Sequence, residues 1–164
     1  MRFSRIVDLI AECEMSIHDV SRTELDPDTG LPRFNMPLEL GADLGLRLKG
    51  SPKQKRRKTL ILDAVAHRYD VTLSDISGMD IEVHGNDQAR VIRHVRDWLN
   101  ANRDPAAPPL AGAQAISADY DAYLQVLLPD ITANLRLDAV LSHIDFIETV
   151  KRALPQIEAA RQAV

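Results

Sequence analysis

Apolar positions along the first fifty residues change their period twice. Ile6, Val7, Leu9, Ile10 and Cys13 recur at helical spacing, which predicts a helix over residues 4–12 with Ser4 as its cap. EMSIHDV, residues 14–20, alternates instead, with Met15, Ile17 and Asp19 on one side and Ser16, His18 and Val20 on the other, and predicts a short strand. The next segment, SRTELDPDTGLPRFN, is rich in Asp, Pro and Gly and too long for a tight turn. Pro37 suits the first turn of a second helix, which starts near Asn35 or Met36 and runs to about Leu48.

Past the basic stretch KGSPKQKRRK, the run TLILDAV is continuously apolar, as in a strand buried on both faces. Strand, helix, strand in that order is a βαβ unit with parallel pairing and a right-handed crossover. Residues 67–85 read as irregular, with at most a short extended piece. Asn86 is expected to cap an amphipathic helix in which Val91, Ile92, Val95, Trp98 and Leu99 share a face. The proline-rich NRDPAAPPLAGAQA predicts a linker. Helical patterns follow over residues 117–129, 130–141 and 142–164. Ser142 and Asp145 resemble a capping box, and Pro155 is expected to kink or restart the last helix.

Together these elements predict a Rossmann-like (flavodoxin-like) parallel α/β domain over residues 1–103, a linker over 104–115 and a helical segment over 116–164. Two strands make a thin sheet, and the chain opens on a helix where such folds open on a strand. A preceding strand or another subunit is therefore expected to complete the sheet. A homodimer or a partner subunit is expected to cover the apolar surface of the helical segment.

Composition narrows the function classes. Apolar residues make up 45% and charged residues 27%, as in an ordinary globular protein. A net charge of -4 argues against general polyanion binding. KQKRRK has no interleaved aromatics, so it reads as a solvated loop rather than a nucleic-acid contact. One cysteine, Cys13, forms no intramolecular disulfide and no metal-site pattern, and points to a reducing cytoplasm. No apolar run approaches the roughly 20 residues that cross a bilayer. Neither a dinucleotide fingerprint, a P-loop nor a G-x-S-x-G elbow is present, and no cofactor or metal is expected.

In open α/β sheets, ligands bind beyond the carboxyl ends of the strands. Asp19, Ser21 and Arg22 leave the first strand there; Arg33 and Asn35 open the helix that carries Glu39; Asp63 ends the second strand. Near a helix start the dipole favours the ionised form of Glu39. Such a carboxylate facing a cleft can hold a ribose hydroxyl, stabilise an oxocarbenium-like centre or attack an anomeric carbon. The plainer alternative is that it only complements the helix dipole. Asp75 and Asp80, around Gly78, are expected to form a second polar wall, and His18 is expected to be structural. Gly41 and Gly45 lie on one helical stripe, where close packing against a strand is expected to offset their helix cost, with room for a ligand as the alternative.

The stretch CEMSIHDVSRTELDPDTGLPRFNMPLELG resembles a family of uncharacterised bacterial proteins with an IHDISRTEL…LPRFNMPFELG signature, an SDI.G.DI..HG element and an RDWL helix. Residues 17–25, 31–41, 74–85 and 96–99 carry these motifs here. More distantly, a strand ending in Asp, a loop and a helix bearing ELG resembles the nucleoside 2-deoxyribosyltransferases and the Toll/interleukin-1-receptor-like NAD hydrolases. That resemblance implies that Glu39 attacks or stabilises an anomeric carbon and that Asp19 holds the sugar or base. It further implies that Ser21, Arg33 and Asn35 shape the pocket. The expected function is cleavage or transfer at the N-glycosidic bond of a nucleoside or NAD-like nucleotide. A non-catalytic nucleotide-sensing or protein-interaction module, in bacterial stress or defence, is the alternative.

Overall fold

Strand β2 (Lys58–Asp63) lies between β1 (Met15–Asp19) and β3 (Ile81–Val83) in an all-parallel, three-stranded sheet. Its central place follows from its composition: Leu60, Ile61 and Leu62 are all buried, so both faces of the strand are covered. The register aligns His18 with Ile61 on one side and Ile61 with Ile81 on the other. In this computed structural model, which describes residues 1–162, the chain divides into two compact units, Met1–Pro109 and a second that begins at Leu110. Among the described residues no helix is long and apolar enough to cross a membrane.

The first unit is an α/β fold in which helices alternate with the strands. Helix α2 (Asn35–Lys49) links β1 to β2, and its Leu40 joins Val20, Ile61 and Ile76 in the core. Helix α1 (Arg2–Glu12) packs on α2; it starts two residues before Ser4, which therefore caps nothing. Strand β1 turns His18 and Val20 inward and leaves Met15 and Ile17 exposed, Ile17 at 41%. The more apolar face of this edge strand is thus the solvent face.

Several elements depart from the sequence reading. The segment read as irregular contains a short helix α4 (Tyr69–Thr72), a single tight turn over Ser74–Ile76 and then β3, so the sheet has three strands where two were expected. Three residues are too few to show an alternation. The basic stretch holds a capped turn, α3 (Pro52–Lys55): Gln54 N–H donates to Ser51 Oγ at 3.4 Å, and Ser51 N–H donates to Gln54 Oε1 at 2.8 Å. Its Arg57 is only 3% exposed, so this stretch is not a wholly solvated loop. Helix α5 (Gln88–Asn102), which packs on β2, is capped by Asp87 rather than Asn86; Asp87 Oδ1 accepts from Ala89 N–H at 2.8 Å. Gly41 and Gly45 are exposed, and a methyl group at either would meet nothing within 4 Å, so neither glycine is explained by close packing.

The second unit is helical. Helix α6 (Ala113–Ala122) continues through a π-helical turn (Tyr123–Leu127) into α7 (Leu128–Leu135). Pro129 has no N–H to give the preceding turn, and the widened π turn sits directly before it. The two helices predicted over 117–141 are therefore one rod that ends at Leu135, where Arg136 turns left-handed. Helix α8 (His143–Gln162) runs through Pro155 without restarting. Ser142 and Asp145 form the expected box at its start, with Asp145 N–H on Ser142 Oγ at 3.2 Å and Ser142 Oγ on Asp145 Oδ2 at 2.6 Å. Tyr123, Ile131 and Ala153 make its core, and the Tyr123 hydroxyl shares a 2.8 Å hydrogen bond with Thr149.

Candidate functional site

Each strand delivers a polar side chain to the carboxyl rim of the sheet. Asp19 closes β1, and its Oδ1 accepts the Ser21 N–H at 3.0 Å, which turns the chain sharply outward. His84 follows β3 and is buried. Its Nδ1 accepts the Asn86 N–H at 3.1 Å, which assigns the ring hydrogen to Nε2, and Nε2 lies 3.5 Å from Asp19 Oδ1. Both contacts fall on Oδ1, and Asp19 Oδ2 takes no hydrogen bond or ion pair among the described residues.

Asp63 closes β2 and pairs with Arg68. The same guanidinium donates to the Ser21 carbonyl and to Glu24 Oε1, the latter at 2.8 Å. Arg68 thereby ties the loop after β1 to the end of β2. That loop folds back on itself: Leu25 and Pro32 form an antiparallel bridge, and Asp26 N–H donates to the Leu31 carbonyl at 3.0 Å. Hydrogen bonds from the backbone of Thr29 and then of Asp28 hold the Asp26 carboxyl below its ordinary range, with the Thr29 hydroxyl and the charge of Arg33 adding to them against a small opposing effect of burial.

Folding of this loop over the start of α2 encloses a cleft of about 370 Å³. Asp19, Ser21, Arg22, Arg33, Asn35 and Glu39 line it, and Arg2 reaches it from α1. Six of the eight residues predicted for the site therefore share one wall-to-wall hollow. Glu39 is half-buried and makes no hydrogen bond or ion pair among the described residues. Asp75 and Asp80 do not reach this cleft. Asp75 is exposed on the single turn after α4, while Asp80 precedes β3 and lines a separate hollow with Lys58 and Thr59, at the amino end of the strands.

One turn beyond Glu39, α2 presents a side chain that the sequence reading passed over. Asp43 is fully buried and accepts from Ser16 Oγ at 2.6 Å and Thr59 Oγ1 at 2.7 Å. His18 Nε2 lies 3.3 Å from the same oxygen, and Arg57 Nε pairs with the other at 2.5 Å. Burial pushes the Asp43 carboxyl up, but the bonds from His18, Ser16 and Thr59, with the charge of Arg57, outweigh it and hold the group down to about 2. The hub lies between α2 and the strands and accounts for His18, which is structural here. The signal was available: Asp43 falls on the same helical stripe as Leu40 and Leu44, where an apolar residue belongs.

Comparison with known proteins finds no matching family, no matching curated protein and no matching solved structure. Among the described residues no three His, Cys, Asp or Glu side chains gather as a metal site would require. Among the described residues the rim thus offers an unpartnered carboxylate, a second carboxylate bonded through one oxygen, and arginines lining the same cleft. Such a set can accept hydrogen bonds from sugar hydroxyls, hold an anion and stabilise positive charge at carbon.

Proposed function

We propose that the protein cleaves or transfers the N-glycosidic bond of a nucleoside or nucleotide, with Glu39 at the anomeric carbon. One observation supports this reading above others: the Glu39 carboxylate lines the rim cleft with no partner among the described residues, and Asp19 lines the same cleft. Glu39 lies past the first turn of α2, so it does not complement the helix start as the sequence suggested, and among the described residues it makes no hydrogen bond or ion pair. An N-glycosidic bond breaks with positive charge building on the sugar, which a half-buried carboxylate stabilises better than an exposed one. If Glu39 bonds to the anomeric carbon, the base departs with the bonding electrons and takes up a proton. Water or a second base then displaces Glu39, giving hydrolysis or transfer. Asp19, held by the Ser21 N–H, would accept a hydroxyl of the sugar. The distant resemblance to deoxyribosyltransferases and NAD hydrolases supports the same assignment.

The test is base release from nucleosides and nucleotides, followed by chromatography. Glu39→Gln keeps the shape and removes the charge, so turnover is expected to fall by at least about a hundredfold. Undiminished turnover in a folded Glu39→Gln protein would remove the reading. A second reading, a nucleotide-sensing or interaction module that pairs with a copy of itself or a partner subunit, draws on the exposed apolar side chains of the helical unit, Val140 and Ile144 among them. It is favoured if nucleotides raise the melting temperature and no product forms.

A further inference from the structure

Arg22 and Arg33 belong to two hollows at once. The Glu39 cleft shares them, with Ser21, with an adjoining hollow of about 360 Å³ that Asp26 and Asn86 also line. The two arginines are therefore the ridge between the hollows rather than the margin of one. Their approach is built in: the Leu25–Pro32 bridge and the turn held by Asp26 fold the loop so that its two ends lie together.

The neighbouring acids are committed elsewhere. Glu24 is paired with Arg68, and Asp26 Oδ1 takes the N–H groups of Asp28 and Thr29 and the Thr29 hydroxyl. Neither Arg22 nor Arg33 has an ion-pair partner among the described residues, although Arg33 acts on Asp26 through space. Arg2 adds a third positive charge to the Glu39 cleft, against the carboxylates of Asp19 and Glu39. The Glu39 cleft by itself thus holds three arginines against two carboxylates, while Glu24 and Asp26 line the adjoining hollow. Two planar guanidinium groups on one ridge suit the tetrahedral, doubly charged oxygens of a phosphate ester.

From this arrangement we infer that the site takes a sugar phosphate: a glycosyl unit at Glu39 whose phosphate, on the carbon far from the glycosidic bond, seats on Arg22 and Arg33. The inference rests on reading the Glu39 cleft as a glycosyl site and narrows its ligands to phosphorylated ones. The free nucleoside lacks the group that the ridge holds. Asn35, at the first position of α2, lies on the same side, where the opening N–H groups of the helix have no side-chain cap. These add to a phosphate site that the arginines define.

Calorimetric titration of the full chain with ribose 5-phosphate, ribose and inorganic phosphate tests this without knowledge of the base. Ribose 5-phosphate is expected to bind at least about tenfold more tightly than either fragment. Arg22→Ala and Arg33→Ala are each expected to weaken it about tenfold or more, and the exposed Arg93→Ala, outside both hollows, leaves it unchanged. Equal binding of ribose 5-phosphate and inorganic phosphate overturns the inference, as does indifference to both arginines. The two readings fail separately. Phosphate-dependent binding with no base release from any nucleotide leaves the ridge standing and ends the catalytic assignment. Glu39-dependent release that is equally fast from nucleosides and their 5′-phosphates does the reverse.

Discussion

An aspartate with no exposed surface, facing two hydroxyls, an imidazole and a guanidinium, ties one protonation state to one packing arrangement. Asp43 is held at about 2, below its ordinary 3.8, so the unfolded chain takes up this proton first as the pH falls. Its contribution is complete above about pH 5 and is lost as the pH falls toward 2, and amounts to about 2 kcal/mol. Urea melts across this range are expected to show that decline in the native protein. In Asp43→Asn the acid decline is expected to be shallower, from a lower starting stability. The lower start follows because Arg57 keeps its buried charge, and its Nη1 and Nη2 have no hydrogen-bond partner among the described residues. An equally steep acid decline in Asp43→Asn would assign the effect to other carboxyls.

Helix α2 carries both the reactive candidate and the structural hub, yet it also carries two exposed glycines. With open space at both positions and helical backbone, Gly41→Ala and Gly45→Ala are each expected to stabilise the fold by up to about 1 kcal/mol, read as a raised melting temperature. A fall in stability would show that a contact outside the described chain needs the bare backbone. At this scale the sequence was legible where elements are long or strongly patterned. The parallel α/β arrangement followed from a buried apolar run after a strand and a helix, and topology alone brought Asp19, Arg33 and Glu39 to one rim. The missing element, β3, had consequences for the site. Without it, neither Asp80, just before the strand, nor His84, just after it, could be assigned an end of the sheet. His84 therefore went unplaced, although it contacts Asp19 at the rim, and Asp80 was grouped with a cleft at the other end of the sheet. The buried Arg57 was hidden for a different reason: its neighbours Lys53, Lys55, Arg56 and Lys58 make the run look uniformly solvated.

At the scale of the whole fold, the narrow sheet has two edge strands, β1 and β3. Strand β1 sits at the edge with only β2 beside it, and its outward side chains, Met15 and Ile17, are apolar. Natural proteins commonly guard such an edge with lysine, proline or a covering element. Here the guarding charge is sparse, so crowding or gentle warming gives one chain a ready template for the backbone of the next. A lysine at position 17, Ile17→Lys, is expected to slow light scattering on incubation at high concentration while leaving circular dichroism unchanged. Slower scattering in that variant would tie the lifetime of concentrated solutions to this one short ribbon.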